Sequence, residues 1–167
     1  MLRNFVTSVR NFVTSVRNLV TAARTLVIAA VLVFGQAAAA GAADFRSAAE
    51  AAVVLYDAPS AKARKLYIVS RGYPLEVVVQ VEGWVKVRDA AGTLSWAETK
   101  ALDNTRNVLL RTAATVRQKP ADDAPVVFEA QRDLLLERLE AASAGWVHVK
   151  HRDGSAGYVR AADVWGE

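Results

Sequence analysis

A duplicated motif constrains the fold of this chain more than any other feature. The pattern GWVKV at residues 83–87 returns as GWVHV at residues 145–149. In each copy a turn glycine precedes a large aromatic residue and alternating valines, which is the period-2 pattern of a half-buried strand. A second glycine-containing turn follows, and then Trp96 in one copy and Tyr158 in the other. We therefore predict a β-hairpin in each copy, with an aromatic residue on each arm.

The duplication extends well beyond this hairpin. Leu75 matches Leu136 at a separation of 61 positions, and Trp96 matches Tyr158 at a separation of 62. One inserted residue ahead of the second Gly-Trp pair accounts for the difference. Matches at two adjacent separations indicate internal duplication, so we predict two units of the same kind.

Short strands separated by turn residues make up each copy. Alternating apolar residues and turn signals predict the strands of the first copy at residues 53–56, 65–69, 75–81, 84–88 and 94–97. Residues 44–50 are predicted to be an exposed lead-in, and residues 99–102 a short helical turn. The sequence thus predicts an all-β fold, with a first unit at residues 44–103 and a second at residues 104–167.

Two local features of the second copy are also predicted. Residues 108–110 are all apolar, so we predict an extra strand ahead of this unit. The apolar alternation slips at Arg138 and Leu139, which align with Val77 and Val78. One extra residue in a strand reverses the alternation, so we predict a β-bulge in the second copy.

Basic residues are concentrated at the N-terminal end of the chain. The formal net charge is +4, yet four arginines lie within the first 24 residues, and no acidic residue precedes Asp44. Of the 21 basic residues, 17 therefore remain beyond this segment, against 17 acidic ones. Phosphate binding requires a dense basic face, so we expect no nucleic-acid partner.

Residues 1–43 have the order of a secretory signal peptide. Arginine and hydroxyl residues precede an apolar run at residues 26–34, and small residues follow as far as Ala43. We predict an N-terminal signal helix, cleaved near Ala40–Ala43, and a periplasmic or secreted protein. The strong apolar run has about half the length of a membrane span. An uncleaved membrane anchor is the alternative.

The sequence RNFVTSV occurs twice in the leader, at residues 3–9 and 10–16. On a helix its apolar residues would form a stripe, which is typical of a membrane-surface helix or a coiled coil. A duplicated piece of signal sequence explains it equally simply. We favour this second explanation, because β-branched residues weaken an isolated helix.

Both copies resemble the bacterial SH3-like domains of exported proteins. The features that carry the resemblance are a proline in the first loop, Gly-Trp before a Val-x-Val strand, and the later aromatic strand. Residues 157–159 read Gly-Tyr-Val, close to the Gly-Trp-Val common in this family, whereas residues 95–97 read Ser-Trp-Ala. The resemblance implies two small SH3-like barrels in tandem behind the signal helix. It also implies a targeting or interaction role, which in several relatives is directed to peptidoglycan.

Catalytic groups are not assembled by any motif in the sequence. The chain contains no cysteine, which excludes thiolate chemistry. His148 and His151 lie three positions apart, so on one continuous strand they would point to opposite faces. His151 begins a predicted hairpin turn that ends at Asp153 and Gly154. We predict no enzyme activity, no catalytic residue, no metal site and no cofactor.

Aromatic side chains are the candidate binding residues, because their rings bury a large area and keep a polar edge. The predicted set is Tyr56, Tyr73, Trp84, Trp96, Trp146 and Tyr158. Trp165 belongs to the wider group of aromatics. The alternative is that Trp84 and Trp146 close the ends of the barrels, and for the two tyrosines of the first unit a purely structural role is equally open.

These features together predict an exported, non-catalytic binding protein with two SH3-like modules. The expected partner is peptidoglycan or an envelope protein. The alternative is a membrane-tethered structural or assembly protein, which would contact the membrane only through an uncleaved leader.

Overall fold

The computed structural model describes residues 43–167 of the chain. The predicted signal helix lies outside these residues. The described part contains fourteen β-strands and two short 3-10 helices, which divide between two sheets of seven strands each. No helix among residues 43–167 has the length and apolarity needed to cross a membrane.

The first sheet is formed entirely by the first copy of the repeat. Its strands are β1 (Phe45–Ala48), β2 (Val53–Tyr56), β3 (Lys65–Val69), β4 (Pro74–Val81), β5 (Trp84–Arg88), β6 (Leu94–Glu98) and β7 (Leu102–Asp103). They lie in the order β3-β2-β6-β5-β4-β1-β7, and all paired strands are antiparallel. A 3-10 helix at Thr99–Ala101 joins β6 to β7 and confirms the predicted helical turn.

The second sheet repeats this topology strand for strand. Its strands are β8 (Asn107–Leu110), β9 (Ala114–Arg117), β10 (Val126–Ala130), β11 (Leu135–Arg138), β12 (Trp146–Lys150), β13 (Ala156–Arg160) and β14 (Val164–Trp165). The order is β10-β9-β13-β12-β11-β8-β14. The all-β prediction is therefore confirmed. The prediction of two barrels is corrected within residues 43–167: each sheet stays open, because the outermost strands of each order do not pair with each other.

Each sheet encloses its own hydrophobic core. Val85 and Val87 of β5 are fully buried, and their equivalents Val147 and Val149 of β12 are fully buried in the second unit. The residues between them point outward, as the period of a strand requires. Two separate clusters of buried aliphatic side chains result, one in each unit. Two cores of this kind are what a duplicated sequence dictates, since each copy carries its own apolar set.

The tryptophan-bearing strands begin at glycines with left-handed backbone conformations. Gly83 has a φ of 75° and Gly145 a φ of 81°. A side chain at either position would be strained in this conformation. The glycine of each Gly-Trp pair is thus required by the turn that leads into β5 or into β12.

The prediction that residues 44–50 form an exposed lead-in is wrong. Strand β1 occupies Phe45–Ala48, and Phe45, Ser47 and Ala48 are buried. It pairs with β4 on one side and with β7 on the other. The segment is short and mixed in polarity, so its burial depends on partner strands that are distant in sequence.

At the aligned position of the predicted bulge, the strand irregularity lies in the first unit rather than in the second. The register between β4 and β5 shifts between Val77 and Val79, which leaves Val78 as the extra residue. In the second unit β11 ends at Arg138, and no register shift is present between β11 and β12. The predicted bulge therefore lies in the first copy and not in the second.

Direct contacts join the two units through strand β1. The ring of Trp165 meets the ring of Phe45 edge to face, with centroids 5.2 Å apart. The indole Nε1 of Trp165 donates a hydrogen bond to the backbone oxygen of Pro74 at 3.2 Å. Gly166 follows, and a Cβ there would lie 2.7 Å from the Cβ of Pro74. This close packing leaves no room for a larger residue.

Polar side chains complete the same junction. The hydroxyl of Ser47, which is 1% exposed, donates to the backbone oxygen of Thr105 at 2.8 Å and accepts from the amide of Asn107 at 3.2 Å. Arg106 donates to the backbone oxygen of Phe45. The segment between the sheets is therefore anchored on the first unit by hydrogen bonds along its length.

Candidate functional site

The first unit carries an aromatic face on the outer side of strands β2, β6 and β5. We call this the first aromatic face and define it as Tyr56, Trp84, Lys86 and Trp96. Strand register brings the residues together, because Trp96 of β6 lies opposite both Lys86 of β5 and Tyr56 of β2. Three neighbouring strands thus present these side chains on one surface.

The rings of the first aromatic face are in contact with one another. Tyr56 and Trp84 meet edge to face, with centroids 5.3 Å apart and planes at 89°. The ammonium group of Lys86 lies 5.9 Å from the centre of the Trp96 ring, within cation–π range. Tyr56 is only 8% exposed, whereas the two tryptophans are half-buried. Tyr56 therefore supports the face, and the tryptophans present it to solvent.

The second unit carries the equivalent surface on β12 and β13. We call this the second aromatic face and define it as Trp146, His148, Tyr158 and Arg160. His148 lies opposite Tyr158 and stacks on it, with ring centroids 4.5 Å apart and planes at 10°. The guanidinium of Arg160 lies 4.3 Å above the Trp146 ring and also forms an ion pair with Asp122. Trp146 is only 6% exposed, so it supports the face, while His148, Tyr158 and Arg160 present it to solvent.

A small cavity opens beside the second aromatic face. It has a volume of about 130 Å³, and its walls include Pro120, Glu140, Trp146, His148 and Tyr158. The Glu140 carboxylate lies 3.3 Å from Nδ1 of His148. The cavity thus combines ring surfaces with one carboxylate, so it suits a small group with an apolar body and a hydrogen-bond donor.

Two of the aromatics lie away from these faces. Tyr73 lines a cleft between the two units, together with Ala90 and Arg132. Burial raises the pKa of its phenol. Trp165 belongs to the junction described above. Of the six predicted site residues, three lie on the first face and two on the second, and only Tyr73 is elsewhere.

The polar members of both faces were not predicted. Lys86 and His148 occupy equivalent positions, each two residues after the tryptophan of its strand. The same period-2 argument that placed the tryptophans outward would have placed these residues beside them. The same argument applies to Arg160, which lies two residues after Tyr158 on β13. Glu140, which borders the cavity beside the second face, carried no comparable signal, because its position depends on loop conformation.

The two histidines belong to different local structures. Nδ1 of His151 lies 3.0 Å from the carboxylate of Asp153, in the turn between β12 and β13. The backbone N–H of Ser155, followed by the imidazole of His151, lowers the pKa of Asp153 to about 2. Within residues 43–167, no three His, Cys, Asp or Glu side chains are placed to hold a metal ion together.

Comparison with solved structures finds similar chains of low sequence identity. NlpC2 from Trichomonas vaginalis is 15% identical, with a TM-score of 0.36, over 74% of this chain and 47% of that one. An NlpC/P60 family protein from Bacillus cereus ATCC 10987 is 16% identical, with a TM-score of 0.34, over 73% of this chain and 56% of that one. The chain thus spans about half the length of these proteins. No curated protein matches it.

Comparison with protein families finds one profile that matches the chain twice. The profile, described as "Bacterial SH3 domain", matches residues 49–104 and again residues 111–166. The two matches fall on the two sheets. The protein therefore belongs to the bacterial SH3 domain family and carries two of these domains in tandem.

Proposed function

We propose that this protein is an exported, non-catalytic binding protein whose two aromatic faces engage peptidoglycan or a protein of the cell envelope. The observation that carries the proposal is the repetition of an outward aromatic surface at equivalent positions of both units. A core requires only inward residues. The half-buried rings of Trp84, Trp96 and Tyr158 remain accessible outside the two cores and are available for a ligand.

The chemistry of the faces suits a ligand with flat or apolar groups and a few polar ones. The half-buried rings of Trp84, Trp96 and Tyr158 supply contact area at low entropic cost, because only two torsions of each side chain are fixed. Lys86 and Arg160 lie over tryptophan rings, where they can also meet a carboxylate of the ligand. A peptide stem linked to a glycan combines these properties.

Two faces on one chain support binding to a repetitive ligand. When one face is engaged, the second binds as an intramolecular step with a high effective concentration. The contacts between Trp165 and the first unit favour a defined spacing of the faces. Modest affinity at each face would then suffice for retention on a polymer.

Contacts of the histidines support the non-catalytic part of the proposal. His148 is stacked on Tyr158, and His151 is held against Asp153 within its own turn. A general base must reach the proton that it removes. Here each imidazole already has a neighbour that accounts for its position.

Co-sedimentation with purified peptidoglycan tests the proposal. We expect the purified protein to sediment with the polymer at low salt, and the Trp96→Ala/Tyr158→Ala variant to do so weakly. Loss of a ring that contributes about 1–2 kcal/mol to the free energy of binding lowers the affinity of each face by roughly 5- to 30-fold.

Ile68→Ala is the matched control, because Ile68 is an apolar residue that is 63% exposed and lies outside both faces. Failure of the native protein to sediment would exclude the peptidoglycan version and leave an envelope protein as the partner. Equal sedimentation of the native and double-variant proteins would contradict any role of the faces.

A membrane-tethered structural or assembly protein is the second candidate. It is favoured by the apolar run at residues 26–34 and by the lack of acidic residues before Asp44.

We propose cleavage near Ala40–Ala43, with domains at residues 44–103 and 104–167 and a periplasmic or secreted location. Mass spectrometry of the native N-terminus separates the candidates, because an end at Met1 or Leu2 would exclude cleavage.

A further inference from the structure

A cleft runs along the junction of the two units, away from both aromatic faces. It consists of two adjoining cavities, with volumes of about 830 Å³ and 750 Å³. Both include Asp133 and Leu135, and both reach the turn at residues 70–73 of the first unit. We call these two cavities together the intermodule cleft. No side chain of the first or second aromatic face lines it.

Basic side chains predominate along the intermodule cleft. Five of them line it, against three acidic ones. The basic residues are Arg71, Arg111, Arg132, Lys150 and Arg152. Beyond residue 43 the chain carries equal numbers of basic and acidic residues. The excess in the cleft is therefore a local concentration of positive charge in a neutral protein.

Most of this charge has no partner in the fold. Among the described residues, ion pairs within 4 Å form at Asp133, with Arg132, and at Asp153, with His151. None forms at Arg71, Arg111, Lys150 or Arg152 within residues 43–167. Unpaired cations around a concave surface attract anionic groups and strengthen their binding where water is partly excluded.

The interior of the intermodule cleft is apolar. Leu109 is only 6% exposed, and Leu134 and Leu135 are half-buried. The contacts of Trp165 and Ser47 hold the two walls together. The cleft thus pairs a leucine floor with a basic rim in a preformed shape, which reduces the ordering cost of binding.

We propose that the intermodule cleft binds an acidic segment of an extended polypeptide. Its carboxylates meet the arginines of the rim, and its apolar side chains rest on the leucines of the floor. In an extended segment, alternate side chains point in opposite directions, which matches a cleft with a charged rim and an apolar floor. A purely hydrophilic polyanion would use the rim alone and leave the leucines uncovered.

Fluorescence anisotropy of a dye-labelled peptide tests this proposal on the full chain. The probe is a peptide of about six residues, alternating glutamate and leucine, which spans roughly 20 Å when extended. We expect it to bind at low salt. The Arg71→Glu/Arg111→Glu variant should bind it at least about tenfold more weakly, and the difference should shrink at high salt.

Matched controls make each outcome decisive. Lys62→Glu/Lys65→Glu changes the net charge equally at exposed residues outside the cleft, and should bind the probe as the native protein does. An equal loss in this control would contradict the proposal, because net charge alone would then explain binding. A glutamate–glycine peptide should bind more weakly than the glutamate–leucine peptide.

Three further outcomes would overturn the acidic-peptide proposal. They are no binding of the glutamate–leucine probe, equal affinity for the two peptides, and binding of a carboxylated polysaccharide in preference to both. The variant Trp96→Ala/Tyr158→Ala should leave probe binding unchanged. Failure of the cleft is thereby distinguishable from failure of the aromatic faces.

Discussion

Replacement of Trp165 by alanine tests the junction between the two domains. The variant loses an edge-to-face contact with Phe45 at 5.2 Å and a hydrogen bond to the backbone oxygen of Pro74 at 3.2 Å. The ring pair is worth about 0.5–1.5 kcal/mol, and the hydrogen bond about 0.5–1.5 kcal/mol. Loss of a half-buried apolar surface adds about 1 kcal/mol. We expect the free energy of unfolding to fall by about 2–4 kcal/mol.

Urea unfolding followed by far-ultraviolet circular dichroism measures this loss. Because Trp165 joins the two units, its removal should also weaken their coupling, so we expect one transition for the native protein and a broadened or split transition for the variant. Trp165→Phe is the matched control, since it keeps a ring against Phe45 and loses only the indole donor. This control should lower the free energy of unfolding by about 1 kcal/mol. A free energy of unfolding within about 0.5 kcal/mol of the native value for the alanine variant would contradict the contacts of Trp165 at the junction.

Two substitutions and one titration test the interior of the units. Gly157→Ala places a methyl group 2.5 Å from the backbone oxygen of Arg117. Thermal unfolding should therefore show a loss of about 1–3 kcal/mol in the free energy of unfolding. An unchanged midpoint would contradict this close packing. Asp89→Ala removes the carboxylate that accepts from the Tyr67 hydroxyl at 2.7 Å and from two turn N–H groups. Urea unfolding should show a loss of about 2–4 kcal/mol in the free energy of unfolding. A neutral result would show that the turn does not need this carboxylate. Burial, and then the hydrogen bond to Asp89, raises the pKa of Tyr67 to about 12, so the phenol favours the fold fully below pH 10 and this contribution is lost as pH rises towards 12. Ultraviolet titration of phenolate should therefore show Tyr67 titrating near pH 12, with the pKa of Tyr73 also raised by burial, and four tyrosines titrating together near pH 10 would exclude that environment.

The all-β class and the placement of five of the six candidate residues could be predicted from the sequence. Val85 and Val87 alternate with Trp84 and Lys86, so local period alone decides which residues point outward. The separations of 61 and 62 transfer the same conclusion to the second unit. Local pattern is sufficient here because a short antiparallel hairpin is specified by its own residues.

Features that depend on distant partners could not be predicted. Phe45 is buried only because β1 inserts between β4 and β7, and Trp165 is assigned to the junction only because the other unit lies beside it. Tyr73 resembled the binding aromatics, but its turn faces the second unit. A repeat establishes that two similar units exist. It carries no information on how their surfaces meet, and therefore none on the intermodule cleft.

The bulge illustrates a limit of a different kind. The alignment of Val77 and Val78 with Arg138 and Leu139 revealed an irregularity between the copies. An alignment cannot show which copy is regular, since each is the other's only reference. Strand pairing decides this, and it places the extra residue in β4.

The four indole N–H signals test the central claim most directly, because the chain has four tryptophans and all of them have assigned places in the fold. Soluble peptidoglycan fragments are added to the isotope-labelled protein, and the indole signals are followed by NMR. We expect the indole signals of Trp84, Trp96 and Trp146 of the aromatic faces to shift, and that of Trp165, which is held in the junction, to stay unchanged. No shift at the first three, or a shift confined to Trp165, would contradict the claim that the aromatic faces bind this ligand.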